Sequence, residues 1–226
     1  MKVQKLTQAI ASRRLWLVGA VVVLSACTAA RVVTHTVDTK LAAAPAGAYE
    51  LDPNHWSVVF DIDHFKYSRF VMRFDRVKAT MQLDPAALEH STVNVSIDAA
   101  SLDTNDKLLD KVVTGDALLD AANFPTIGFA STRFEMTGPS TAKLTGNLTI
   151  HGSTTPVTLD VTFNGAAPNP LTREPTMGFA ATGSFTRSSL GLAKWYPAVG
   201  DDINVRIEAE FVQHRAAAPA SEAAGS

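Results

Sequence analysis

Six histidines, 22 acidic residues and a single cysteine are the groups in this 226-residue chain that could hold a metal, move a proton or attack a carbonyl. His55 and His64 flank one alternating stretch, Asp61 and Asp63 lie beside them, and His151 opens a polar break. A zinc or haem site needs three or four convergent ligands, normally announced by short spacings. The chain carries no H-E-x-x-H, no C-x-x-C and no G-x-S-x-G, so no metal helix and no nucleophile elbow is legible. The histidines therefore read as partners for backbone groups at strand ends and turns, and Asp98, Asp103 and Asp160 as solvated or capping carboxylates. No catalytic residue, metal ligand or cofactor is expected, and the chain is not read as an enzyme. A hydrolase built on His and Asp side chains is the weakest alternative.

The cysteine suggests another chemistry. Lys2, Lys5, Arg13 and Arg14 precede an apolar run, Leu15 to Leu24, that is too short to span a bilayer. Leu24-Ser25-Ala26-Cys27 follows and resembles the lipobox of bacterial lipoproteins, which implies cleavage before Cys27 and lipid on its sulfur. An ordinary secretory signal cut near Ala29 or Ala30 is the alternative. Residues 1–26 are thus expected to be a signal peptide, and the product a periplasmic protein anchored to the cell envelope, at the outer membrane. With one cysteine no disulfide can form within the chain. Loss of residues 1–26 removes four of the 20 basic residues and none of the 22 acidic ones, leaving a net charge of −6. That balance, without a basic run, argues against nucleic-acid binding.

The rest of the chain supplies strands. Leu144, Leu148 and Ile150 share one parity, and after a break Val157, Leu159, Val161 and Phe163 alternate with Thr158, Asp160 and Thr162. Such period-2 runs read as a hairpin with one apolar face, which other strands must cover. Trp56, Val58, Phe60 and Ile62 alternate likewise, as do Val93, Val95 and Ile97. Further strands are expected from Phe70 to Leu83, from Ile127 to Met136, from Met177 to Phe185 and from Ile203 to Phe211. Helical spacing is confined to an insert near residues 103–122, where Asp103 or Thr104 could cap a stripe of Leu108, Leu109, Val112 and Val113. Residues 27–48 read as a flexible tether, 49–213 as the folded domain, 214–226 as a disordered tail, and Asn164 to Pro175 as a loop. Eight long antiparallel strands favour an all-β barrel, filled or just wide enough for one slim ligand.

Five motifs carry a family resemblance. Asp52-Pro53-Asn54-His55 with Val58-Val59-Phe60-Asp61-Ile62-Asp63-His64, Ala100-Ser101-Leu102-Asp103-Thr104, Phe124-Pro125-Thr126-Ile127-Gly128-Phe129-Ala130-Ser131, Leu148-Thr149-Ile150-His151-Gly152 with Pro156-Val157, and Arg187-Ser188-Ser189-Leu190-Gly191 occur in order. Together they resemble the YceI-like family of lipid-binding barrels. The resemblance implies a lipocalin-like eight-stranded antiparallel barrel whose elongated cavity holds a polyisoprenoid or quinone-like chain, with no other cofactor. Met72 and Ala79 stand where that family carries glycine, which would narrow the lumen if they face it.

Strand parity then nominates the ligand-contacting set: Val58, Phe60, Ile62, Ile127, Phe129, Leu148, Ile150, Phe179, Phe185, Val205 and Ile207. Phe65, Tyr67, Trp195 and Tyr196 fall in breaks between strands, where they would form a portal or plug the barrel end, and the insert would be a lid or pack outside. The expected partners are an isoprenoid-type lipid and, through Cys27, a membrane; pairing into homodimers is left open. The alternative function is a structural or stress-related envelope lipoprotein with a filled core. Replacing Cys27 by Ser should release the protein from the membrane fraction; full retention there would contradict the anchor.

Overall fold

The computed structural model describes residues 31–213, in two units. The described part of the smaller comprises residues 31–36 and Pro168–Arg173, with a helical turn at 31–33 and a loop in which the Asn169 carboxamide accepts from the Leu171 and Thr172 N–H groups. The larger runs from Val37 to Ala167 and onward from Glu174. It contains the sheet. The lipobox with Cys27 and the tail lie outside the described residues. Among those described, no helix is long and apolar enough to cross a membrane.

Ten strand segments make one sheet: β1 (Gly47–His64), β2 (Ser68–Phe74), β3 (Val77–Leu83), β4 (Thr92–Asp98), β5 (Leu102–Asp103), β6 (Thr126–Met136), β7 (Thr141–Ile150), β8 (Ser153–Pro168), β9 (Pro175–Thr186) and β10 (Val199–Val212). Their order is β10-β9-β8-β7-β6-β4-β3-β1-β2-β5, and β10 also pairs with β1, so the ring closes. The other edge of β1 is taken first by β3, at Gly47–Glu50, and then by β2, at Val58–His64. β2 and β3 are therefore one long strand interrupted at Asp75 and Arg76, and β5 prolongs β4 across the same interruption onto β2. Counted this way the barrel has eight antiparallel strands.

Two irregularities decide which side chains face inward. Leu51 pairs with Phe211 but Trp56 with Ala209, so β1 carries three extra residues opposite β10. An odd insertion reverses parity. Tyr49 and Leu51 point in before it, and Trp56, Val58, Phe60 and Ile62 after it. The strand thus begins nine residues earlier than Trp56, where alternation first becomes legible. On β6 the pairs Ser131–Gly146 and Arg133–Thr145 enclose one extra residue, which shifts the inward set from Ile127 and Phe129 to Phe134. Gly146 faces the Phe129 ring so closely that a Cβ there would lie 2.3 Å from its tip. Only glycine fits.

The segment expected to be a tether is packed from Val37 onward. Asp38 and Ala166 exchange backbone hydrogen bonds, each 2.9 Å, which also keeps β8 extended through Pro168, well into the expected loop after Asn164. Leu41 (3% exposed) and Ala44 join Tyr49, Leu83, Phe163, Met177 and Phe211 in a dense cluster at the start of β1, and the Tyr49 hydroxyl donates to the Pro45 carbonyl at 2.8 Å. These residues plug the base. Weak composition misled here because a plug needs few large side chains when the barrel wall supplies the rest.

The helix also differs from expectation. α1 (Lys107–Thr114) is capped by Asp106, whose carboxylate accepts from the Leu108 and Leu109 N–H groups. Asp103 instead pairs with Lys107, and Thr104 is buried with its hydroxyl on Asp110. Leu41→Ala should cost about 2–4 kcal/mol of stability, read as a lowered urea midpoint. An unchanged midpoint would restore the tether.

Candidate functional site

Inside the barrel the alternating apolar faces do not meet. An outer cavity of about 530 Å³ lies at the His64 end of β1, and an inner one of about 180 Å³ lies toward the plugged base. Both are bordered by Val58, Ile97, Leu148, Phe185 and Val205, a waist between two chambers. On β10 the lining runs from Val199 to Phe211, roughly 40 Å of strand and, at the usual barrel tilt, about 30 Å of axis.

All eleven nominated residues face this lumen. Phe60, Ile62, Ile127 and Ile150 line the outer chamber, Phe129, Phe179 and Ile207 the inner one, and Val58, Leu148, Phe185 and Val205 the waist. Met72 and Ala79 face it too, in the outer and inner chamber respectively. Met72 lies across the strand pair from Phe60, whose ring stacks on Phe74 at 5.3 Å. These side chains narrow the lumen without filling it.

The rim divides the four aromatic residues. Phe65 and Trp195 line the outer chamber. Tyr67 (90% exposed) and Tyr196 stand exposed and outside the lining, so neither is part of a portal wall. Phe65 and Lys66 both take left-handed backbone in the tight β1–β2 turn, which interrupts strand alternation before Tyr67. The helical stripe is split as well: Leu109 and Val113, with Leu118 and Leu119 from the next turn, cover the outer chamber, whereas Leu108 and Val112 face solvent. The insert is a cover, with half its apolar stripe turned outward.

Residues not nominated from sequence include Phe70, Phe74, Leu109, Leu192 and Val199 in the outer chamber and Leu51, Val95, Phe134 and Val161 in the inner one. Phe70, Phe74, Val95 and Val161 carried the same alternation signal, and Leu109 belonged to the helical stripe. Leu51 and Phe134 were hidden by the two parity reversals. Leu192 lies in a loop with no periodicity at all.

Arg187 could not have been foreseen from apolar patterning. It follows Phe185 at the same parity, at the end of β9, and is 6% exposed. Its Nε donates to the Gly200 carbonyl at 2.7 Å, Nη1 to the carbonyls of Leu192 and Lys194, and Nη2 to that of Val199 at 2.9 Å. The guanidinium thereby gathers the loop bearing Leu192, Trp195 and Ala198, all of which line the mouth. Burial pulls its pKa below the ordinary arginine value and the Asp201 charge opposes this; arginine stays charged. Asp201 itself is turned away, accepting from the Ser188 N–H and hydroxyl.

The described histidines do not converge. His64 lines the mouth between Phe65 and Phe70, and His151, at positive φ, packs edge-on against Phe124 in the β7–β8 turn. Asp61 pairs with Arg69 and Asn204, and Asp63 accepts from the Lys66 N–H. Asp52, His55 and Glu210 do approach one another on the outer side of the β1 bulge, each offering a ligand atom within 4.8 Å of the others. His55 Nδ1 lies 3.2 Å from Asp52 and its ring is exposed, so an ion pair accounts for the arrangement.

An eight-stranded antiparallel barrel, plugged at one end and hollow along an apolar axis, defines the fold as a lipocalin-like barrel rather than a sandwich. The chain belongs to the YceI-like family: residues 49–211 match the YceI-like domain. A UPF0312 protein of Vibrio cholerae is 31% identical over 180 residues, covering 80% of this chain and 88% of its own. Among solved structures, BcnA of Burkholderia cenocepacia superposes with a TM-score of 0.64 at 24% identity, over 71% of this chain and 98% of its own. A polyisoprenoid-binding domain of Saccharophagus degradans, implicated in plant cell wall breakdown, superposes with a TM-score of 0.57 at 10% identity, over 75% of this chain and 100% of its own. At these identities the two structures attest the fold alone.

The bulge makes a prediction of its own. The hydrogen bond to Asp52, the Asp52 charge and the more distant Glu210 charge all raise the His55 pKa. At Asp52, burial raises the pKa, but hydrogen bonds from the Asn54 N–H and from His55 outweigh it and leave the carboxyl below its ordinary value. An imidazole with a raised folded pKa stabilises the fold fully below its unfolded value of about 6.5 and ceases to do so as pH rises through the folded value. NMR titration should find His55 above about 6.5 and returned toward it by Asp52→Asn. Identical titrations in both proteins would refute the pairing.

Proposed function

We propose that this protein is a binding protein, not an enzyme, which takes up a long apolar chain of isoprenoid type in its lumen. As the sequence suggests, it would do so on the periplasmic side of the envelope, held to a membrane through Cys27. One observation carries the reading. The outer chamber, about 530 Å³, is lined by hydrocarbon apart from His64 and Arg187, within the size range of sites for small organic ligands. A hydrocarbon chain gains roughly 0.8 kcal/mol per CH₂ removed from water and needs no directional partner. The family membership and the binding described for the Saccharophagus degradans domain support the same class of ligand. A filled-core envelope protein would need side chains where these chambers lie open.

The protein, purified from a host that makes isoprenoids, extracted with organic solvent and analysed by mass spectrometry, should yield a long-chain lipid in near-stoichiometric amount. A clean extract would sink the proposal. Leu148→Trp, placed at the waist, should shorten the chains recovered while the protein still folds. Recovery of unchanged chain lengths would show that the inner chamber takes no part.

A further inference from the structure

The lumen carries one buried charge. Arg187 is the only charged side chain in the buried class among the described residues; Glu208, which borders the inner chamber, is exposed. A guanidinium has five N–H donors, and four of them are spent on the carbonyls of Gly200, Leu192, Lys194 and Val199. These are neutral acceptors. No carboxylate touches the group, since Asp201 is engaged by Ser188. A buried cation with no carboxylate in contact is costly; the Asp201 charge acts on it only from a distance, one Nη2 hydrogen has no acceptor among the described residues, and the side chain lines the outer chamber.

Apart from the exposed Glu208, the polar lining residues are also placed at one end. His64 and Arg187 lie in the outer chamber, while the inner chamber beyond the waist is walled by side chains such as Val95, Phe134 and Val161. A molecule that fits this gradient has an oxygen-bearing head at the mouth and a hydrocarbon tail directed toward the base.

Granted that the lumen is the binding site, as proposed above, we infer that Arg187 is its head-group subsite, and that the preferred ligand is an amphiphile with an anionic oxygen, a carboxylate or phosphate monoester, on an unbranched or isoprenoid chain. The anion supplies the contacting counter-charge that Asp201, engaged by Ser188, does not, through a charge-assisted hydrogen bond to Nη2. The rim lysines Lys66 and Lys194 could attract the same ligands from solvent, but salt screens them and leaves a buried contact nearly unaffected.

The test compares hexadecane, hexadecanoic acid and its methyl ester on the delipidated full chain by calorimetry, with farnesyl phosphate and farnesol as the isoprenoid pair. Each anion should bind at least about tenfold tighter than its neutral counterpart, and the ratio should persist between about 0.05 and 0.5 M salt. Equal affinities within each pair would overturn the subsite while leaving the apolar lumen intact. A preference that vanishes at high salt would transfer it to the rim lysines and overturn it equally. If neither hexadecane nor the ester binds at all, the lumen reading itself falls. Arg187→Lys, which keeps the charge but not the planar set of donors, should reduce the ratio; a folded variant with an unchanged ratio would count against the assignment.

Discussion

Closure of the sheet by β1 against β10 is the constraint on which everything else depends. The two strands run together from the Glu50–Val212 pair to the His64–Val199 pair, and without that ladder each would be an open edge. An open sheet would have no inside. Closure with eight strands fixes a circumference, and a fixed circumference leaves an interior that side chains can just fill. Whether it is filled is then a matter of residue size at each level. At the base Tyr49, Phe163, Met177 and Phe211 meet across the axis and, with Leu41, shut it. Higher up the inward residues are mostly Val, Ile and Leu, which reach less far, and the space between them remains.

The ladder also explains why β1 must be irregular. A barrel wall this long twists continuously, and the three-residue excess at Asp52–His55 lets the lower part pair with β3 while the upper part pairs with β2. The bulge is held by its own side chains: the Asn54 N–H donates to Asp52 at 2.7 Å and the Trp56 indole to the Pro53 carbonyl at 3.2 Å. This gives the Asp-x-x-His opening a structural role that requires no metal and no chemistry.

Much of this was legible in the sequence because a half-buried strand writes its burial in alternate letters. Val58, Phe60 and Ile62, or Ile203, Val205 and Ile207, could be assigned to the lumen from parity alone. Parity is a local signal, however, and it fails wherever the chain slips by an odd number of residues, as it does before Trp56 and after Ser131. It also says nothing of segments that contribute one or two side chains to a distant cluster, which is how Leu41 and Ala44 came to read as tether. Arg187 escaped for a different reason. The sequence shows an arginine ending an apolar run, and only the closed ring shows that the carbonyls of Leu192, Lys194, Val199 and Gly200 all turn toward it.

The two ends of the barrel are consequently built on different physics. The base is held by packing among large apolar side chains, a cooperative arrangement whose opening exposes a whole cluster to water. The mouth is held largely by hydrogen bonds: one guanidinium binds the loop's carbonyls, the Phe65 N–H donates to the Ala198 carbonyl at 2.8 Å, and Trp195 in that loop sits at positive φ. Each such bond adds only about 1–3 kcal/mol, so the mouth rests on separate bonds where the base rests on one packed cluster. Under the proposed function, this asymmetry distinguishes the two ends of the tunnel. A chain taken up as proposed would enter and leave at the mouth, and its inward travel would stop at the plugged base.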